Sequence, residues 1–151
     1  MEFTNIVSGF IVIPLFENQL IIEKNKTVRF LSFLYLVGLI DGCCQHFNIS
    51  EKTFWKMYDH YFLYELKNSG YSFHKFSPLF STQYDKMLDV PFIEKIITFG
   101  GQDIQVYLIK VNEGINPIPP ETRLESLVQE WKNYTPDNAT LTLINYYIPD
   151  F

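Results

Sequence analysis

The stretch Thr27-Val-Arg-Phe-Leu-Ser-Phe-Leu-Tyr-Leu-Val-Gly-Leu-Ile-Asp-Gly-Cys-Cys-Gln-His-Phe47 decides how this chain folds. No charge interrupts it from Phe30 to Ile40, and apolar side chains point in every direction around a helical wheel. A helix that is apolar all round is buried on most of its surface. The expectation is a central helix, 27–47, with the remaining segments packed around it. The uncharged run is too short for a bilayer span, which needs about 20 residues. Asp41, Gln45 and His46 lie within any extension of it. A core helix is therefore expected, and no membrane span. Ile6–Leu15 is apolar too, but Pro14 interrupts it and no basic residue precedes it, so it does not read as a signal peptide.

Outward from this helix, Asn48 can close it in the left-handed conformation, and Ser50 can cap a second helix to Lys67, ending at Gly70. The short link makes the two antiparallel neighbours. Ser77-Pro78 marks another helix start. Gly38 and Gly42 flank Asp41 four residues apart, so a second segment is expected to approach closely there. Residues 1–26 fit neither period cleanly, with a slight lean to helix from Pro14.

Two regions stay ambiguous. Ile96–Phe99 and Ile104–Val111 could pair as a β-hairpin about Gly100-Gly101, or they could be helices on either side of it; the helical context favours the latter. Ala139–Ile148 alternates and is β-branched, which reads as an edge strand or extended arm. Between them, Pro120 opens a helix with Leu124, Leu127, Val128 and Trp131 on one face. The fold class is mainly α, a single-domain helical bundle over 1–151, with a small hairpin near 96–111 as the variant.

The totals narrow the function. The net charge is −5 and the only guanidinium groups are Arg29 and Arg123. The lysines are scattered, so no basic face exists to neutralise phosphates, and nucleic acid is not an expected partner. The adjacent Cys43 and Cys44 cannot easily pair with each other and have no third cysteine. That points to a reducing, cytoplasmic compartment. They sit near a helix C-terminus, where the dipole opposes a thiolate. His46, His60 and His74 lie on separate segments without metal-site spacing. Gly100-Gly101 lacks the rest of a phosphate loop. Neither a catalytic residue nor a cofactor or metal site is expected.

Asp41 is the residue that breaks the local pattern, because a carboxylate beside Leu39, Ile40 and Cys43 needs a partner. The chain is rich in rings, with 14 Phe and 10 Tyr, and exposed ones would be natural protein anchors. Three function classes remain. The first is a small acidic, non-enzymatic protein-binding module, such as an immunity-type inhibitor that occludes a basic, nuclease-like toxin. The second is an adaptor or secretion-chaperone-like subunit. The third is an enzyme with a site around Asp41. For the first, the expected contact surface is an acidic rim of Glu121, Glu125 and Glu130, helped by Asp85 and Asp89.

Overall fold

The computed structural model describes Leu20, residues 22–50, Lys52, Thr53, Lys56, His60, residues 64–72, 74–76 and 84–150. It is mainly helical, and no strand occurs among the described residues. The helices are α1 (Lys26–His46), α2 (Tyr64–Asn68), α3 (Tyr84–Leu88), α4 (Pro91–Asn112), α5 (Pro120–Trp131) and α6 (Asn138–Tyr147).

The central helix is where the sequence places it. Asn25 caps it, its Oδ1 accepting from Val28 N at 3.2 Å. Every residue from Val28 to Ile40 is buried, as are Gly42, Cys43 and Cys44. By length and composition α1 could cross a membrane; in this fold 89% of its apolar window is buried inside the protein. Its end is a left-handed cap. Asn48 has φ 54°, Asn48 N donates to Gln45 O at 3.2 Å, and Ile49 N donates to Cys44 O at 2.8 Å. These two bonds satisfy carbonyls that the helix would otherwise orphan. Gly70 (φ 88°) closes α2 and Gly114 (φ 75°) closes α4 with the same bond pattern. Ser50 also caps as expected, its Oγ accepting from Thr53 N at 3.2 Å. Most of the Ser50–Lys67 helix, the Ser77-Pro78 start and nearly all of residues 1–26 lie outside the described residues.

α4 is the principal partner of α1; α5 and α6 pack on α1 as well. The helical reading of 96–111 holds over the β-hairpin variant, but not as two helices on either side of Gly100-Gly101: α4 runs unbroken from Pro91 to Asn112, straight through both glycines. The glycines are a contact, not a turn. A Cβ on Gly100 would clash with the Tyr35 carbonyl oxygen, and one on Gly38 with the Ile97 carbonyl oxygen. One on Gly42 would lie 2.6 Å from Gly101 O. The close approach expected at Gly38 and Gly42 is therefore made by α4, main chain against main chain. Each glycine costs a helix about 1 kcal/mol relative to alanine. Burying large side chains on both sides of the crossing returns about 1.5–3 kcal/mol apiece.

The extended reading of Ala139–Ile148 is also corrected. α6 starts at the Asp137 cap, whose Oδ1 accepts from Thr140 N at 2.8 Å. Thr140, Ile144 and Tyr147 form its buried stripe. Tyr147 stacks near Phe30 of α1, with centroids 6.4 Å apart. Packing of this stripe overrides the strand preference of the β-branched residues, as tertiary context commonly does.

The two glycines of α4 should respond oppositely to alanine. At Gly100 the added Cβ drives the backbones apart, so Gly100→Ala should lose about 1–3 kcal/mol. At Gly101 the nearest atom to the added Cβ is Gly38 O at 3.4 Å, an ordinary contact. Gly101→Ala should be neutral or gain up to about 1 kcal/mol from helix propensity. Urea unfolding followed by circular dichroism measures both; equal losses at the two positions would show that close backbone contact is not what selects glycine.

Candidate functional site

The seam between α4 and α5 gathers the features that a contact surface needs. Leu124, Leu127, Val128 and Trp131 are buried, the face expected of this helix. Beside them, α4 presents Phe92, Ile96 and Phe99, one or two turns apart. Together with Tyr134, just past α5, these rings line a slot of about 180 Å³. Phe92 and Tyr134 stack with centroids 4.6 Å apart and planes 11° apart. Ile96, Leu127 and Trp131 are its buried lining; Lys95, Glu130 and Asn133 are exposed beside it. Lys95 Nζ lies 5.5 Å from the centre of the Phe99 ring and Arg123 Cζ 6.0 Å from it. Both cations are close enough to be attracted by the ring face.

Further along the seam a polar clamp ties three helices together. Tyr35 of α1 donates its hydroxyl to Asp103 Oδ2 of α4 at 2.6 Å, and Arg123 Nε of α5 donates to the same oxygen at 3.3 Å. Burial, followed by the hydrogen bond to Asp103, holds the Tyr35 hydroxyl far above its usual titration range. The edge of the Tyr35 ring also meets Trp131, with centroids 6.4 Å apart.

The sequence-expected acidic residues are distributed rather than assembled. Glu130 is beside the aromatic slot. Glu125, also exposed, is on the opposite flank of α5, where it shares a shallow cleft with Ile22, Lys24 and Lys132. Glu121 is in the first turn of α5. Asp85 is exposed on α3, and Asp89 is exposed in the turn leading to α4. Asp41 is half-buried on the rim of the core, where Gln45 Nε2 donates to its Oδ2 at 2.9 Å. Gln105 Nε2 in turn donates to Gln45 Oε1 at 3.3 Å, linking α4 to α1. Asp41 and Glu94 line one cleft of about 350 Å³ there, and among the described residues its other polar lining is Gln45, Thr98, Gln102 and Gln105. Such a lining can accept hydrogen bonds or attract a cation. No group of three or more metal-ligating side chains occurs among the described residues. His46 is half-buried against Phe47, while His60 and His74 are exposed.

Sequence reasoning missed the aromatic slot and the Tyr35–Asp103–Arg123 clamp. One signal was present: Phe92, Phe99 and Val106 recur at seven-residue steps, a second stripe on α4 beside the buried one. Tyr134 could not be assigned to it before the chain reversal after α5 was known. Compared with known proteins, the chain matches no family model, no curated protein and no solved structure.

Two outcomes follow from these geometries. Tyr35→Phe removes a hydrogen bond to a carboxylate and should cost about 1.5–3 kcal/mol, measured by urea unfolding; a loss below about 0.5 kcal/mol would mean that the clamp contributes little. The second concerns alkaline stability. Burial pushes the Cys43 and Cys44 thiols up to about 12. Unfolded thiols titrate near 8.5, so above that pH the unfolded chain holds fewer protons than the folded one. The stabilisation is complete below about pH 8.5 and declines as pH rises toward 12. The unfolding midpoint should therefore fall between pH 8 and 11, with a shallower slope in a Cys43→Ala, Cys44→Ala double variant. Identical slopes would show that the thiols are not the linked groups.

Proposed function

We propose that this chain is a non-enzymatic protein-binding module of the immunity or inhibitor type, acting by occlusion of a larger or more basic partner. The observation that carries the reading is the aromatic slot on the α4–α5 seam. Phe92 and Phe99 on α4 and Tyr134 just past α5 are half-buried and bordered by the side chains of Glu130 and Lys95, and the Phe99 face already attracts Lys95 and Arg123. Aromatic anchors in a formed cleft contribute disproportionately to protein–protein affinity. A ring-lined slot with a carboxylate beside it suits an arginine or lysine side chain, through cation–π attraction and an ion pair. The net charge of −5 favours association with a basic protein. The buried, unpaired-by-disulfide thiols support a reducing cytoplasm as the setting. With Glu125 on the other flank of α5, the contact surface is centred on Glu130 and the rings rather than on the full acidic set.

A second reading, an adaptor or secretion-chaperone-like subunit, is favoured by exposed apolar side chains at the other end of the seam. Val106 and Ile118 are 50% and 73% exposed and line one cleft.

The test begins with affinity capture of the partner from the native cell and measurement of its binding kinetics. Tyr134→Ala should weaken binding at least tenfold, about 1.4 kcal/mol. Glu130→Lys should slow association at low ionic strength and matter much less at high salt. Both variants should fold normally. Wild-type kinetics from both, with a validated partner, would exclude this slot as the contact surface.

A further inference from the structure

Resting on the reading of the aromatic slot as the contact surface, we infer that Asp103 and the Tyr35 hydroxyl, neither of which lines the slot, are positioning residues for it: one carboxylate oxygen sets both a ring that α4 supplies and a ring that α5 supplies. Asp103 Oδ2 accepts from the Tyr35 hydroxyl at 2.6 Å and from Arg123 Nε at 3.3 Å. Each donor reaches one ring of the slot. Tyr35 is in edge contact with Trp131, with centroids 6.4 Å apart and planes 67° apart. The guanidinium carbon of Arg123 lies 6.0 Å from the centre of the Phe99 ring. Phe99, from α4, and Trp131, from α5, both line the slot, whereas Tyr35, Asp103 and Arg123 are outside its lining.

The direction of control follows from burial. Tyr35 has no exposed surface, so the core around α1 holds its ring. Its hydroxyl is the fixed end of the network, and a hydrogen bond to a carboxylate is about twice as strong as one between neutral groups. The side chain of Asp103 is 23% exposed and that of Arg123 46%. An arginine this exposed keeps many rotamers open unless a partner holds it. Asp103 is that partner, and it holds the guanidinium at the Phe99 ring. Trp131 is 4% exposed, and in a close-packed setting its indole shifts only when its neighbours shift. Removing the Tyr35 hydroxyl frees the tilt of that ring against Trp131 and leaves the Asp103 oxygen held by Arg123. Removing the charge of Asp103 loosens both arms at once.

The experiment uses the full chain labelled with 5-fluorotryptophan, whose fluorine NMR spectrum reports the two tryptophans; a Trp55→Phe variant assigns the Trp131 signal. The probe of the slot is N-acetyl-arginine amide. Tyr35→Phe and Asp103→Asn should each move the Trp131 signal before any probe is added. Each should also weaken probe binding about threefold or more, without either replaced group touching the probe. Because both act at one oxygen, the double variant should bind no more weakly than the weaker-binding single one. Ile144→Val, a core truncation on α6, is the control: it should lower the urea midpoint and leave both the Trp131 signal and probe binding as in wild type. A Trp131 signal that stays in place in both clamp variants would overturn the inference, as would probe binding that Ile144→Val weakens equally. Binding to wild type that is indifferent to both clamp variants would overturn the positioning role and leave the slot as the contact surface. No binding to wild type would remove the slot's preference for a basic side chain, and the inference with it.

Discussion

Where α1 crosses α4, backbone rests on backbone, and the rest of the described structure depends on that approach. Gly38 and Gly42 from one helix and Gly100 from the other remove the side chains that would hold the axes apart. With a Cβ at any of the three, the helices would separate. Phe33, Leu36, Ile93 and Ile104, all buried at this core, would lose close packing with their neighbours. Dispersion between packed atoms declines steeply over a gap of an ångström. Small residues at helix crossings are more familiar inside membranes, where they allow the same close approach. Here they serve a helix with 89% of its apolar window buried inside the protein.

This crossing sets the position of the α4–α5 seam. α4 is fixed by its glycine face against α1, so its other flank, Phe92 to Lys110, is held at a defined angle toward α5. α5 is then registered by Trp131 against Tyr35 and by Arg123 on Asp103. The shared Asp103 oxygen makes one residue from each of three helices interdependent. The slot is therefore borne mainly by rigid elements, whose rotamers are restricted by core packing. A surface of this kind loses little entropy on binding.

Much of the fold was legible in local signals. The Thr27–Phe47 helix follows from an apolar surface that has to be buried away from water. Its end at Asn48, the α2 end at Gly70 and the Ser50 cap follow from which residues tolerate positive φ or accept a backbone hydrogen bond. The buried stripe of α5 follows from its period. The two misread regions share a cause. Gly100-Gly101 and the β-branched Ala139–Ile148 have local preferences against helix, and in both the deciding energy comes from residues distant in sequence.

The candidate site was less legible for the same reason. Ring content and net charge indicated that a protein partner was plausible, because they count groups that favour contact without needing their positions. They could not say that Glu125 and Glu130 would fall on opposite flanks of one helix, or that Tyr134 would stack on Phe92 after the chain reverses. By itself the sequence determined which segment must be buried and where several helices end; each depends on local periodicity or backbone geometry. The tertiary structure alone decided that Gly100-Gly101 is a helix crossing, that Asp103 joins Tyr35 to Arg123, and which rings share a slot. Those are contacts between residues tens of positions apart, and their energies exist only once the helices have met.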